Sequence, residues 1–396
     1  MKEPMVNAAP TQFPLFEEGP FARLQAAVRL AGTEQRYVRR RLLFAVLVTW
    51  VPLAVLAAVQ GHAIGPNWRE SMLLDVAMHA RYLVALPLLI LATPGCRRKL
   101  QAVVRQFLDA ELVKEADRAS FFANITAMLR WRDSGVAAVV FLTLAVADAV
   151  TLGAVSVAQM PDSWRVVGAA GQRSLSLAGW WLFAVCEPLY QIVVLQLLYR
   201  LGLWWRFLWK TSRLDLQLNA AHPDGAGGLG FLGMVLPALQ MPVFAIAASA
   251  AGALANLMLW TGVSFVNFKY AIAAFAVALV ALAVGPVIFF KGQLRKAKER
   301  AVLVCGALAG RQLRAFEEKW LGASPPPAEE MLRAPDFSAV VDFNPTVNVV
   351  QKMNTLLFSP KQLVALVVAA LLPFLPVAAI EIPLKEILAQ MWKLVK

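Results

Sequence analysis

Cysteine and histidine are nearly missing from this 396-residue chain, three of each, and tyrosine occurs only five times. Cys96, Cys186 and Cys305 are too few and too far apart for a disulfide framework or a zinc spacing. Charge is sparse as well: 16% of residues are Asp, Glu, Lys or Arg, against about 25% in soluble domains. The acids are the scarcer sign, 25 against 38 basic residues, for a net charge of +13. No HExxH and no nucleophile elbow is present, which removes two common hydrolase signatures.

What the chain has in quantity is long apolar runs. It is 59% hydrophobic with mean hydropathy +0.60, and several runs reach the roughly 20 residues that carry a helix across a bilayer core. A β-barrel would need alternating strands of about ten residues instead. The expected fold is therefore all-α: a polytopic transmembrane helical bundle of about seven spans with cytoplasmic helical segments.

The expected layout starts with a cytoplasmic N-terminal segment, 1–41, holding the amphipathic stretch Phe21–Leu30 and no apolar signal-peptide core. Spans one and two occupy 42–95. The first is Leu42–Gln60, an outside loop covers Gly61–Arg81, and Pro94-Gly95 bounds the second span, whose helix begins near Leu73. A cytoplasmic helical segment follows at 96–134, then spans three and four at 135–199. A basic, aromatic helix with a glycine loop fills 200–229, spans five and six 230–290, and a further cytoplasmic segment 291–360. Span seven and an amphipathic tail, Pro383–Lys396, complete 361–396. Pro373 and Pro376 leave a re-entrant alternative for this last span. Thirty of the 38 Lys and Arg fall on the side assigned to the N-terminus, which the positive-inside rule makes cytoplasmic. This asymmetry accounts for the net charge without a nucleic-acid partner. Anionic lipid headgroups are the natural counterpart of the basic side.

Two constellations carry possible chemistry. Asp148 and Glu187 lie near the middle of spans three and four, where a charge is costly and by default functional. Glu187, Tyr190 and Gln191 share a helix face, Asp148 and Thr151 another, and neither of these two spans supplies a base at that depth. A cation or proton site at Glu187, with Asp148 and Gln191, is one reading. A neutral carboxyl hydrogen-bonded to a neighbouring helix is the other. Asp75 and His79 share a face at the outer end of span two, but two ligands are too few for a metal.

The second constellation is 199–233. Arg206, Lys210 and Arg213 share a helix face beside Trp204, Trp205, Phe207 and Trp209, a pattern that suits an interface anchor or a lipid-phosphate contact. His222-Pro223-Asp224 then runs into Gly225, Gly227, Gly228 and Gly230. Such a loop can turn backbone N–H groups on an anion, or it can be a tight turn. No Lys-Ser/Thr ends it as a Walker loop would.

The motif HPD-x-x-GGLGFL at 222–232, with the proline-broken LLPFLP span and Ile-Pro-Leu-x-Glu tail, resembles a family of uncharacterised bacterial multi-pass inner-membrane proteins. The resemblance rests on about a tenth of the chain and implies a bacterial inner membrane. It transfers no activity and no catalytic residue. No cofactor is implied.

Three functions stay open on the residues. A channel or ion- or proton-coupled transporter would use Glu187 and Asp148, with 222–230 as a gate or anion contact. A lipid- or phosphate-directed enzyme would use His222 and Asp224 for proton transfer and Arg206, Lys210 and Arg213 for phosphate. A scaffold or sensor would engage a protein partner, or a second copy, through 97–134 and 291–360.

Overall fold

The computed structural model of the protein describes residues 35–160, 162–168, 172–321 and 336–381. Phe21–Leu30 and Pro383–Lys396, read above as an amphipathic stretch and a tail, lie outside the described residues.

The chain is an all-α, multi-pass membrane protein. Seven helices are long and apolar enough to span: α1 (Arg36–Val59), α2 (Val76–Asp109), α4 (Gly135–Gln159), α5 (Leu177–Thr211), α6 (Gly230–Thr261), α7 (Phe265–Ile288) and α10 (Pro360–Ala378). Three others, α3 (Glu115–Arg132), α8 (Lys291–Trp320) and α9 (Asp336–Lys352), lie between spans on the side rich in Lys and Arg. On the opposite side, Val166–Val167 (β1) pairs antiparallel with Ser174–Leu175 (β2).

Helix α6 is the centre of the bundle. In its apolar window 56% of residues are buried, against 17–39% in the other spans, so those mostly separate α6 from lipid. Its buried face is built of Ala247, Ala248, Ala251, Gly252 and Ala255, small residues that let helices approach closely without an apolar driving force. At Gly252 the fit with α2 is tight enough that a Cβ would stand 2.5 Å from that of Ala80.

Two boundaries differ from the sequence reading. The second span does not end at Pro94-Gly95, because Pro94 sits inside the α-helix Leu86–Asp109. At about 1.5 Å per residue the 34 residues of α2 run well past a bilayer core. The last span is no hairpin. Gln362 Nε2, near the start of α10, donates to Gly233 O (3.2 Å) at the basic end of α6. At the far end, Ser264 Oγ and the Phe265 amide donate to Glu381 Oε2 (2.8 and 2.9 Å), just beyond the other end of α6. Helix α10 thus runs the whole depth of the bundle. Its start is fixed by a capping box between Ser359 and Gln362, which satisfies two amides the helix leaves open.

The inter-span segments on the basic side form a packed layer. Phe107, Phe121, Phe207, Leu216, Leu294 and Met353 belong to one buried cluster continuous with the membrane core. The tryptophan-rich stretch continues α5 without a break, and it buries Trp204, Phe207 and Leu208 in that layer.

Candidate functional site

Arg81 and Glu187 form an ion pair between α2 and α5, Arg81 Nη1 against Glu187 Oε1. The sequence reading begins the span-two helix near Leu73 and finds no base within spans three and four; the helix begins at Val76, and the base that meets Glu187 comes from span two. The local backbone favours the meeting. Ala80–Ala85 and Leu182–Cys186 are π-helical turns, and each is followed within two residues by proline, Pro87 and Pro188. A proline lacks the N–H for the carbonyl four residues back and crowds it, and the chain answers by widening the turn. Such π turns recur at functional positions because they re-aim side chains. Arg81 Nε also reaches Ser249 Oγ on α6 (3.4 Å), and its guanidinium stacks over Tyr190 at 5.4 Å.

A second pair stands nearer the surface. Asp75 caps the first turn of α2, accepting from the Met78 amide (2.9 Å). It also accepts from Asn256 Nδ2 of α6 (2.8 Å), Trp164 Nε1 (3.0 Å) and Arg165 Nη2 (2.5 Å). Burial alone would raise the Asp75 carboxyl, but the Arg165 charge and the donated hydrogen bonds outweigh it and hold it below its ordinary value. The four donors tie the segment before β1 to α2 and α6. His79, paired with Asp75 in the sequence reading, turns elsewhere. Its Nδ1 accepts from Trp50 Nε1 (3.2 Å) and its Nε2 lies 2.9 Å from Leu73 O, so the ring is built into the helix packing.

Between these pairs lies a cleft of about 300 Å³ walled by α2, α4, α5 and α6. Arg81, Arg165, Glu187, Asn256, Tyr82 and Ser156 are among its polar groups, and Leu152, Val155 and Phe183 among its apolar ones. Ala253 and Leu257 of α6, both exposed, belong to its rim. Asp148 is not in its wall. It accepts a hydrogen bond from Gln191 Nε2 (3.1 Å), while Thr151 Oγ1 bonds back to Ala147 O (2.7 Å). Glu187 and Gln191, one turn apart on α5, therefore face different neighbours.

The glycine loop has its own anion. Asp224 Oδ1 accepts from the amides of Ala226 (2.8 Å) and Gly228 (3.1 Å), and Oδ2 from Gly230 (2.9 Å). Its partial burial would raise the carboxyl, yet these amides and His222 hold it below its ordinary value. His222 Nδ1 stands 2.9 Å from Asp224 Oδ1. Gly227 has φ +66°, and a Cβ there would meet Met353 Cε at 2.8 Å. The Asn354 amide donates to Gly225 O (2.7 Å), docking the loop on the segment after α9. Arg206 stacks over Trp131 and Arg213 over Trp209. Both arginines are exposed and Lys210 is half-buried.

Compared with known proteins, the chain finds no matching family model, no matching curated protein and no matching solved structure.

Proposed function

We propose that this protein is a proton-coupled transporter of the bacterial inner membrane, with its basic side in the cytoplasm. One observation carries the reading: an ion pair, Arg81–Glu187, closes the floor of a cleft inside the span region. A buried pair is weak evidence of stability, since desolvation cancels much of its attraction. Inside a membrane such a pair has function as its default explanation. Protonation of Glu187 would release Arg81 toward the cleft, giving two states that a bound solute and a proton bias together. The π turns beside both residues supply slack for that movement. On the basic side, Arg206 and Arg213 meet anionic headgroups. Asp224, already engaged with its own loop, acts as a structural cap.

The test is flux. Reconstituted in liposomes with an imposed pH gradient, the protein is expected to move protons in a solute-dependent way, and Glu187→Gln to abolish the movement. Flux unchanged in Glu187→Gln overturns the reading.

A further inference from the structure

The four charged groups around the cleft are not presented to it equally. The side chains of Arg81 and Arg165 are 21% and 17% exposed, whereas their partners Glu187 and Asp75 are 7% and 6% exposed. The pairs cancel in net charge, but their cations form the open surface and their carboxylates lie behind. One buried polar atom of a wall residue, Arg165 Nε, also has no hydrogen-bond partner. A spare donor and guanidiniums more exposed than their carboxylate partners favour an oxyanion. Much of the remaining wall is hydrocarbon, with Leu152 and Val155 on α4 and Leu257 on α6, beside the uncharged Ser156 and Asn256. The exposed rim at Ala253 and Leu257 lies in the last turns of a spanning helix.

We propose that the cleft binds a monocarboxylate with an apolar body: the carboxylate against Arg81 and Arg165, the body along Leu152, Val155 and Leu257. A single negative charge fits the electrostatics. The paired groups sum to zero, and one proton on Glu187 leaves one uncompensated positive charge, on Arg81. A monoanion and a proton then enter as a neutral couple, whereas a dianion would bury a charge with no counterpart. About 300 Å³ is the lower end of small-ligand pockets, which suits a short or medium chain.

The carboxylate site stands on the cleft itself, and only its coupling to a proton rests on the transport reading. The groups that Glu187 meets in that step are Arg81 and Tyr82 of α2 and Cys186 and Tyr190 of its own helix. From α6 come the uncharged Ser249, held by Arg81, and Asn256 of the cleft wall.

The experiment is binding of radiolabelled octanoate to the full chain in lipid nanodiscs, with empty nanodiscs subtracted. Saturable binding is expected, with no displacement by octanol, which has the same body and no charge. Arg81→Gln should weaken it about tenfold or more, the scale of a lost charge-assisted bond. Ala253→Phe should abolish it by filling the rim while leaving every charged group in place. Glu187→Gln, which leaves Arg81 unpaired, should bind at least as tightly as the natural protein, with no dependence on pH across the neutral range. Displacement by octanol as effective as by octanoate, or unchanged binding in Ala253→Phe, overturns the proposal. So does an anionic phospholipid that binds where octanoate does not, which would make the ligand a phosphate headgroup. Octanoate binding without Glu187-dependent flux would overturn the transport reading alone. Flux of another solute without octanoate binding would overturn the carboxylate alone.

Discussion

Arg81 and Glu187 are 106 positions apart in the chain and in direct contact across the α2–α5 interface. The consequence is an asymmetry between single and double replacement. Removing one partner of a buried pair leaves an uncompensated charge, at a cost of about 3–5 kcal/mol, while removing both is often nearly neutral. Arg81→Gln is accordingly expected to lower the thermal midpoint of the detergent-solubilised protein, and so is Glu187→Gln. The double variant should recover most of the loss. Additive losses in the double variant would show that the two side chains do not depend on each other.

The pH dependence of stability should follow Asp75. Its folded carboxyl is held below the ordinary value, despite its burial, by Arg165 and the hydrogen bonds it accepts. A depressed carboxyl contributes stability that is complete above the unfolded value, about 3.9, and is lost as pH falls through the lower folded value. Asp75→Asn is expected to lower the midpoint at neutral pH and to flatten its fall in acid. It should also expose the segment 162–168 to protease. An acid profile unchanged in Asp75→Asn would assign the acid loss to other carboxylates.

What was legible in the sequence follows from where each signal is local. Gly135–Gln159 reads directly because its apolar run and its helix coincide and charges flank it. Asp148 and Glu187 are legible as acids within apolar runs. The partners were hidden for a different reason. Arg81 falls on a helix read to begin near Leu73, but nothing local pairs it with an acid two spans later in the chain. Asp75, Arg165 and Asn256 come from three separate segments and meet only in the fold. A sharper signal was available at Leu86-Pro87 and Glu187-Pro188. Proline this early in a long apolar run predicts a disturbed turn just before it, and both disturbed turns carry or adjoin the charged residues. Pro94 misled in the opposite direction, since a long helix tolerates a proline at the membrane edge.

The glycine loop is expected to behave as architecture. Asp224→Ala removes acceptors from three amides. The cost should be about 1–2 kcal/mol, kept modest by water reaching the loop. Gly227→Ala should cost a similar amount, through a left-handed φ and contact with Met353. Both losses should appear as lowered thermal midpoints with flux retained in the folded fraction. Loss of flux at an unchanged midpoint would return the loop to a functional role.

Thiol labelling tests the sidedness. Cys96 and Cys186 are buried, and Cys305 is half-buried on α8. A membrane-impermeant maleimide is expected to modify Cys305 in inside-out vesicles and to leave all three thiols unmodified in intact spheroplasts. Labelling of Cys305 from the spheroplast exterior would invert the assigned orientation.

The central claim is that Glu187 exchanges a proton while its pairing with Arg81 opens and closes. Infrared difference spectroscopy of the reconstituted protein during a pH step, with Glu187→Gln as the reference, measures that directly. A protonated carboxyl band is expected to appear on acidification in the natural protein, to grow when octanoate is added, and to be missing from Glu187→Gln. A carboxylate that stays ionised through the pH range in which solute moves would make the pair a fixed strut and contradict the account.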